Sequence, residues 1–581
     1  MKRRSENSVR LKINYQAIDN LLDAYLLSFN FEGVFCVVLP AFSGATAEIE
    51  TGSLEVLNQI TANLSEGSTF IVIGEHRDLI SVYNMISSNL QYQTWIAIKR
   101  KCVIKSNDNT SLPIESFGAI VFTKYWRALR HSRTRVAYEY CLNCEKTTKD
   151  YGGKKHLYDN FGTHISDVWK DLNVSLNDDL EELYTAFSDL FGIPGYEELR
   201  VLDLKEIVPR AGDIIIDKQE VSDIVIGNPG ESRLLLGDCI EELKKIQSNS
   251  IDFVFADPPY NLNKNYQGHN DDLEMEKYFD WCGVWLNELV RVLKPGKTLA
   301  VLNIPFSIAR CARYIDKNAN YQNWIVWDAL SNPERKIMPA HYAVICYTKG
   351  NPEPSQAEME LGINNYLQMA STEYCRRPSC VKNRRKRGIV DTLPLTDLWS
   401  DIHRIKHNTK RVDHPTQVPP LLMYRLIQTF TKIGDTVLDP FNGSGTTTLC
   451  AEQLGRNYIG IEKSKIYYEL ALTRHKEISM GVDPFRKEER NLKSKNSPVP
   501  RMKKIKYEVP KKTLQLEVKE IAKQIGHIPT REEVAKFTNY PMKYFDEYFL
   551  NWGEVCAAAR ATGMVETKKE SITLESFQNN A

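Results

Sequence analysis

The sequence lacks an apolar run long enough to span a bilayer, which takes about 20 residues. Its basic opening, MKRRSENSVRLKIN, leads into no apolar segment of the signal-peptide kind. The expectation is a soluble cytoplasmic protein with no membrane partner. A strong net charge is also missing: Lys and Arg number 75 against 74 Asp and Glu, leaving +1. Attraction to an acidic polymer would therefore have to come from local clusters. Nor is there a disulfide framework, because the 12 cysteines stand mostly singly within apolar or helical patterns, as suits a reducing compartment. Two close pairs, Cys141 with Cys144 and Cys375 with Cys380, are the exceptions. At 581 residues the chain is too long for one ordinary core, and about three or four domains are expected.

What is present is an alternation. Between residues 231 and 480, short apolar runs alternate with stretches that are apolar at helical spacing, the pattern of an α/β domain. ESRLLLGD, IDFVFADPP, KTLAVLNI, NWIVWDAL, AVICYTK, DTVLDPF and NYIGIE are predicted as strands. DDLEMEKYFDWCGVWLNELVRVLK and PPLLMYRLIQTFTK are predicted as helices packed on the sheet. Residues 481–512 are rich in Lys, Arg and Pro and form a basic linker. A helical module over 513–566 follows, with Gly526 closing one helix, Thr530 and Glu533 forming a capping box for the next, Pro541, Trp552 and Gly563 punctuating two more, and a tail over 567–581. Its segment IGHIPTREEVAKFTNYPMKYFDEYFLNWGEVCAAARATGM resembles the small helical repeats appended to homing endonucleases and other DNA-acting enzymes. The resemblance implies DNA binding, against a plain helical cap as the alternative.

The chain also repeats itself. YQTWIAI at 92–98 matches YQNWIVW at 321–327, and LSEGSTFIVIG at 64–74 matches LKPGKTLAVLN at 293–303. FGAIVFTK pairs with HYAVICYTK, EYC at 139 with EYC at 373, and SDVWKDL with TDLWSDI, all about 230 residues apart. In this register FCVVLPAF lies where FVFADPPY lies in the second copy, and Leu39 replaces Asp257. No glycine-rich segment follows the tryptophan of the first copy. Residues 1–175 are expected to be a degenerate, non-catalytic half-domain, with 176–230 as a connector.

Two motifs carry chemistry. In FADPPYNL, two prolines fix the backbone straight after an apolar strand and withhold N–H donors, leaving carbonyls to face a ligand. In DTVLDPFNGSGTTTLCAEQLGRNYIGIE, a strand ends at Asp439, a glycine turn lets a ligand approach the backbone, and a helix begins at once. Glu462 ends the next strand, where an acid can bond ribose hydroxyls. The dinucleotide fingerprint GxGxxG is absent.

Together the two motifs resemble the amino-group DNA methyltransferases that use S-adenosylmethionine. DPPY ahead of the cofactor loop, with HPTQ at 414–417 between them, resembles the beta class of N6-adenine and N4-cytosine enzymes. The resemblance covers about 250 residues. It implies a Rossmann-like methyltransferase fold with a mixed, mostly parallel sheet. It also implies cofactor contacts from Asp238, His414, Thr416, Gln417, Asp439, Pro440, Phe441, Gly443, Ser444, Gly445, Thr446 and Glu462. The family commonly has a lysine at Val418, so contacts near the methionine moiety are expected to differ.

The exocyclic amine of adenine is a poor nucleophile, because its lone pair is conjugated with the ring. A carboxylate at Asp257 and the carbonyl of Pro258 can draw its N–H bonds, Tyr260 can stack on the base, and Pro259 helps to hold the set rigid. The basic run RRPSCVKNRRKRG lies in the segment, about 350–412, where this class carries target recognition. Arg376, Arg377, Lys382, Arg384, Arg385, Lys386 and Arg387 are its expected phosphate contacts, against a merely solvated face. A pseudo-twofold arrangement would bring Cys141, Cys144, Cys375 and Cys380 around a structural zinc, with unliganded thiols as the alternative.

The expected function is site-specific N6-adenine methylation of double-stranded DNA in restriction-modification or defence, with a cognate restriction endonuclease as a candidate partner. The chain is expected to be a nucleoid-associated monomer with an internal pseudo-dimer. N4-cytosine methylation is the near alternative, although SPPY is more usual there. RNA or protein-glutamine methyltransferases resemble the reverse motif order. A silent DNA-binding regulator on the same scaffold is the alternative from another class.

Overall fold

Runs such as VFCVV, TFIVIG and IDFVFA become strands buried along their whole length. β-branched and aromatic side chains suit a sheet covered on both faces. The structure, a computed structural model, describes residues 33–41, 47–105, 110–124, 132, 134–147, 162–178, 180–193, 199–204, 232–261, 265–266, 269–270, 273–329, 337–353, 365–404, 417–485, 509, 511–525, 527, 529–548 and 552. The chain divides into two units, one of residues 1–132, 166–372 and 387–490, the other of 133–165, 373–386 and 491–581.

The first unit holds two large sheets, of six and eight strands, besides two two-stranded pairs, Asn265–Tyr266 with His269–Asn270 and Gln368–Ala370 with Thr392–Pro394. The first copy runs β1 (Val34–Val38), α1 (Ala47–Asn63), β2 (Thr69–Gly74), α2 (His76–Ile86), β3 (Gln91–Ile104), β4 (Ile114–Thr123), β5 (Val168–Val174), α3 (Glu181–Phe191) and β6 (Arg200–Asp203). Its strand order is β6-β1-β2-β4-β3-β5.

The second copy opens with β7 (Arg233–Leu236), α4 (Cys239–Leu243), β8 (Ile251–Ala256), α5 (Met275–Val292), β9 (Leu293–Asn303), α6 (Pro305–Ile315), β10 (Asn320–Asp328) and β11 (His341–Thr348). After α7 (Pro378–Lys386), which belongs to the second unit, come β12 (Leu398–Trp399), α8 (Pro420–Phe430), β13 (Thr436–Asp439), α9 (Thr446–Gln453), β14 (Asn457–Glu462) and α10 (Lys465–Ser479). The order is β7-β14-β13-β8-β9-β11-β10-β12. Parallel pairs dominate, and β11 runs antiparallel to both β9 and β10. This is the expected Rossmann-like, mixed and mostly parallel sheet.

The last six strands of the second sheet, β13-β8-β9-β11-β10-β12, repeat the first sheet strand for strand. The duplication reaches further than residue 175. The stretch read as a connector carries α3 and β6, which stand where α8 and β13 stand in the second copy.

The copies meet through equivalent surfaces. Trp95 stacks on Trp324 with ring centroids 4.8 Å apart, and α2 packs on α6. The aspartates of SDVW and TDLW reach across reciprocally. Asp167 Oδ1 accepts the N–H groups of Ala340 and His341 at 2.7 and 2.8 Å. Asp397 Oδ1 accepts the N–H of Glu115 at 2.7 Å, and Oδ2 the hydroxyl of Ser116 at 3.3 Å. The backbone repeats the exchange, Asp167 N–H donating to Met338 and Asp397 N–H to Pro113. One apolar core runs through both copies. A self-complementary contact of this kind is the signature of a twofold interface.

α5 shows how the helices attach. Tyr278, Cys282, Trp285, Leu286 and Leu289 form a buried stripe at helical spacing, and the chain passes straight from Val292 into β9.

The second unit contains short strand pairs, Arg135–Val136 with Thr163–His164 and Tyr140–Cys141 with Lys146–Thr147, besides α7. It also contains α11 (Lys511–Ile525), α12 (Arg531–Phe537) and α13 (Met542–Tyr548). Leu514, Val518, Ile521, Ala522, Val534 and Phe545 form a small core there. The capping box is present: Thr530 Oγ1 accepts the Glu533 N–H, and the Thr530 N–H donates to Glu533 Oε2. Gly526, Gly563, most of the basic linker and the tail lie outside the described residues.

Candidate active site

Three parallel neighbours, β14, β13 and β8, end in acidic residues or directly before one: Glu462, Asp439 and, after Ala256, Asp257. From β13 the chain turns outward to β14, and from β8 it turns the other way to β9. The crevice beyond the carboxyl ends of β13 and β8 is thus a topological switch point, where open α/β sheets bind ligands. DPPY lines one side and the glycine turn the other.

Glu462 braces that turn. Its Oε2 accepts the Gly443 N–H at 2.8 Å and its Oε1 the Ser464 N–H at 2.7 Å. Burial raises its carboxyl above the ordinary value, against the pull of those N–H groups. Asp439 is buried, and its Oδ1 accepts the Phe441 N–H at 2.9 Å. Burial pushes its carboxyl up to about 7. Gly443 and Gly445 have φ of 49° and 87°, left-handed conformations that glycine adopts without penalty. Pro440, Ser444 and Thr446 complete the path into α9. Asp238 caps α4, its Oδ1 accepting the Ile240 N–H at 3.1 Å, and pairs with Lys463 at 3.2 Å.

On the other side, Tyr260 donates its hydroxyl to Asp257 Oδ1 at 2.9 Å. The Pro259 carbonyl accepts from Tyr278 at 2.7 Å, so α5 holds the second proline while Pro258 is buried beneath. Asn261, at φ 56°, makes paired amide bonds to the backbone of Leu273. Sequence reasoning missed an aromatic and cationic surround. Tyr342 lies 6.1 Å from Tyr260, and Arg404 stands 4.3 Å over the Tyr342 ring. Trp281 and Trp285 meet the Phe441 ring edge-to-face. Only Trp281 and Trp285, one turn apart on α5, share a spacing signal; the others come from separate elements.

A family model described as DNA methylase matches residues 251–473. The chain is 34% identical over 238 residues to the type II methyltransferase M.BamHI of Bacillus amyloliquefaciens, covering 40% of this chain and about half of that one, 54%. It is 32% identical to the type II methyltransferase M.HpaI of Haemophilus parainfluenzae, over 42% of this chain and 74% of the relative. It is also 32% identical to the DNA adenine methyltransferase YhdJ of Escherichia coli (strain K12), over 43% and 83%.

The chain belongs to the DNA methylase family.

The methylase match takes in DPPY, the glycine turn and Glu462, and leaves out the first copy and Asp238. Of HPTQ, His414 and Thr416 lie outside the described residues, while Gln417 and Val418 are half-buried just ahead of α8. In the first copy Leu39 is buried, so a hydrocarbon stands where the second copy has Asp257.

The basic stretch divides. Arg376, Lys382, Arg385, Lys386 and Arg387 are exposed, and Arg377 is half-exposed. Arg384 corrects the expectation of a phosphate contact. It is 3% exposed and donates to the Cys375 carbonyl and Cys380 Sγ, with its guanidinium over the Tyr374 ring. One helical turn separates it from Cys380, which turns both inward together. The four paired cysteines do converge, every Sγ lying within 4.8 Å of the others.

Proposed function

We propose that the chain is a site-specific DNA methyltransferase acting on the N6 amine of adenine in double-stranded DNA. The observation that carries this reading is the juxtaposition, across one switch point, of Asp257-Pro258-Pro259-Tyr260 with the glycine turn and Glu462. The residues suit S-adenosylmethionine: two glycines leave the turn without side chains, Glu462 can take ribose hydroxyls, the family resemblance assigns Asp238 to the cofactor adenine, and Phe441 with Trp281 offers an apolar wall. When bound, that cofactor supplies an electrophilic methyl group on a sulfonium.

The base must leave the duplex to reach Asp257, at a cost of a few kcal/mol. Tyr260 then offers it a stacking surface. Asp257 and the Pro258 carbonyl accept the two amine hydrogens, directing the nitrogen lone pair outward, and the amine would pass one proton by way of Asp257 to solvent as its bond to the methyl carbon replaces that carbon's bond to sulfur. The exposed arginines and lysines of 376–387 contact phosphates. The first copy supplies within one chain the twofold partner surface that a second subunit would otherwise provide, so the chain acts as a nucleoid-associated monomer. A cognate restriction endonuclease is the partner expected of a type II system.

Incubation of the purified chain with duplex DNA and isotopically labelled S-adenosylmethionine, then mass spectrometry of the digested nucleosides, tests the reading. Labelled N6-methyladenine is expected. N4-methylcytosine would move the target to cytosine, and cofactor binding with no labelled nucleoside would leave a silent regulator.

A further inference from the structure

We infer that Cys141, Cys144, Cys375 and Cys380 form a structural zinc site, and that this site holds the basic helix α7 in place. Cys141 and Cys380 sulfurs are 3.8 Å apart, and those of Cys144 and Cys375 are 3.7 Å apart. Four thiolates placed tetrahedrally about 2.3 Å from zinc are separated by about 3.8 Å along each edge. A disulfide would bring a pair to about 2.05 Å, and none of the four is in one. Both of these pairs match such an edge, and every sulfur lies within 4.8 Å of the others.

The surroundings fit that charge. Zinc(II) binding displaces four thiol protons to solvent and leaves a centre with two negative charges. Asn143 Nδ2 donates to Cys380 Sγ at 3.0 Å, and Arg384 Nη1 donates to the same sulfur at 3.3 Å. Such donors orient and offset a thiolate centre. The first pair sits on a tight turn, with the Glu145 N–H donating to the Cys141 carbonyl and Glu145 at φ 54°. The Leu142 N–H donates to the Glu373 carbonyl, which ties the two cysteine segments together.

α7 itself supplies the independent argument. It has nine residues, and its only buried side chains are Cys380 and Arg384. A helix shorter than about 12–15 residues is marginal by itself in water, and this one has no apolar stripe to bury. Both side chains that anchor it serve the sulfur cluster. A metal there would supply the folding free energy of the helix and present Lys382, Arg385 and Lys386 outward. Only the consequence for DNA rests on the proposed methyltransferase activity.

The test uses the full chain, purified without immobilised metal. Elemental analysis should find one zinc per chain, and none in Cys144→Ser or Cys380→Ser. Should those variants fail to fold, cobalt exchanged into the wild-type chain decides. Strong visible bands of tetrahedral cobalt with sulfur-to-metal charge transfer support the site. A wild-type chain that retains no metal after being supplied with zinc, or an octahedral cobalt spectrum lacking charge transfer, overturns it. Chelation should lower the dependence of log affinity for duplex DNA on log salt by up to about three, one per lost phosphate contact. An unchanged slope would overturn the role given to α7 and leave the metal site standing.

Discussion

The two copies in the first unit share six strands in one order, yet only one carries the DPPY motif and the glycine turn. In the second copy β8 delivers Asp257 beside the glycine turn; in the first, β1 delivers Leu39 into the core. The second copy also extends its sheet by β14 and β7, and with them Glu462 and Asp238. What both copies keep are the groups that join them: Trp95 and Trp324, Asp167 and Asp397. Association and chemistry use different residues of the same fold, so one can decay while the other is kept.

Replacing residues in this comparison should separate the two functions. Asp257→Ala should lower methyl transfer by on the order of 10²- to 10⁴-fold, the scale of a lost proton-handling group, while cofactor affinity stays within a few-fold. Isotope transfer and calorimetric binding on the same preparation check this, and weak cofactor binding with normal turnover would reverse the assignment. Adding Leu39→Asp should not restore activity, because the first copy has no described counterpart of Glu462.

Trp324→Ala, at the contact between the copies, should cost about 3–5 kcal/mol by cavity formation and lost stacking, read by denaturant unfolding. A loss below about 1 kcal/mol would mean that the copies hold together without the pair. Glu462→Gln should weaken cofactor binding by about 10- to 100-fold, as for a lost hydrogen-bonding charge, and leave the contact between the copies untouched. An unchanged dissociation constant would remove it from the site.

The smallest effect concerns pH. Burial raises Asp167 from 3.8 to about 7 and Asp397 from 3.8 to about 8. The native state therefore holds protons that the unfolded chain has already lost. The stability these groups contribute is fully present below the unfolded carboxyl range and is lost as pH rises through about 7 and 8. The doubly substituted Asp167→Asn, Asp397→Asn chain should show a flatter fall in melting temperature between about pH 5 and pH 9 than the wild type. Parallel curves would mean that these carboxyls ionise alike in both states.

Much of this was legible in advance. Strands over 231–480 followed from short apolar runs, and the capping box at Thr530 from residue types three apart, because both are local. β6 escaped the sequence reading because no glycine turn follows it to mark a strand end, although VLD at 201–203 repeats VLD at 437–439. Arg384 was misassigned because a basic run reads as one exposed face, whereas a helix turns one residue in every three or four inward.

The sequence by itself determined the local chemistry: an acid and two prolines at a strand end, a glycine turn with an acid after it, two copies of one pattern, and two cysteine pairs. These depend on neighbours along the chain, where covalent geometry sets the arrangement. Only the tertiary structure decided that Asp167 and Asp397 bond across the copies, that Tyr342 and Arg404 surround Tyr260, and that four thiols converge. Each of these joins residues from separate segments of the chain, and such contacts are chosen by packing and burial, which no spacing along the sequence encodes.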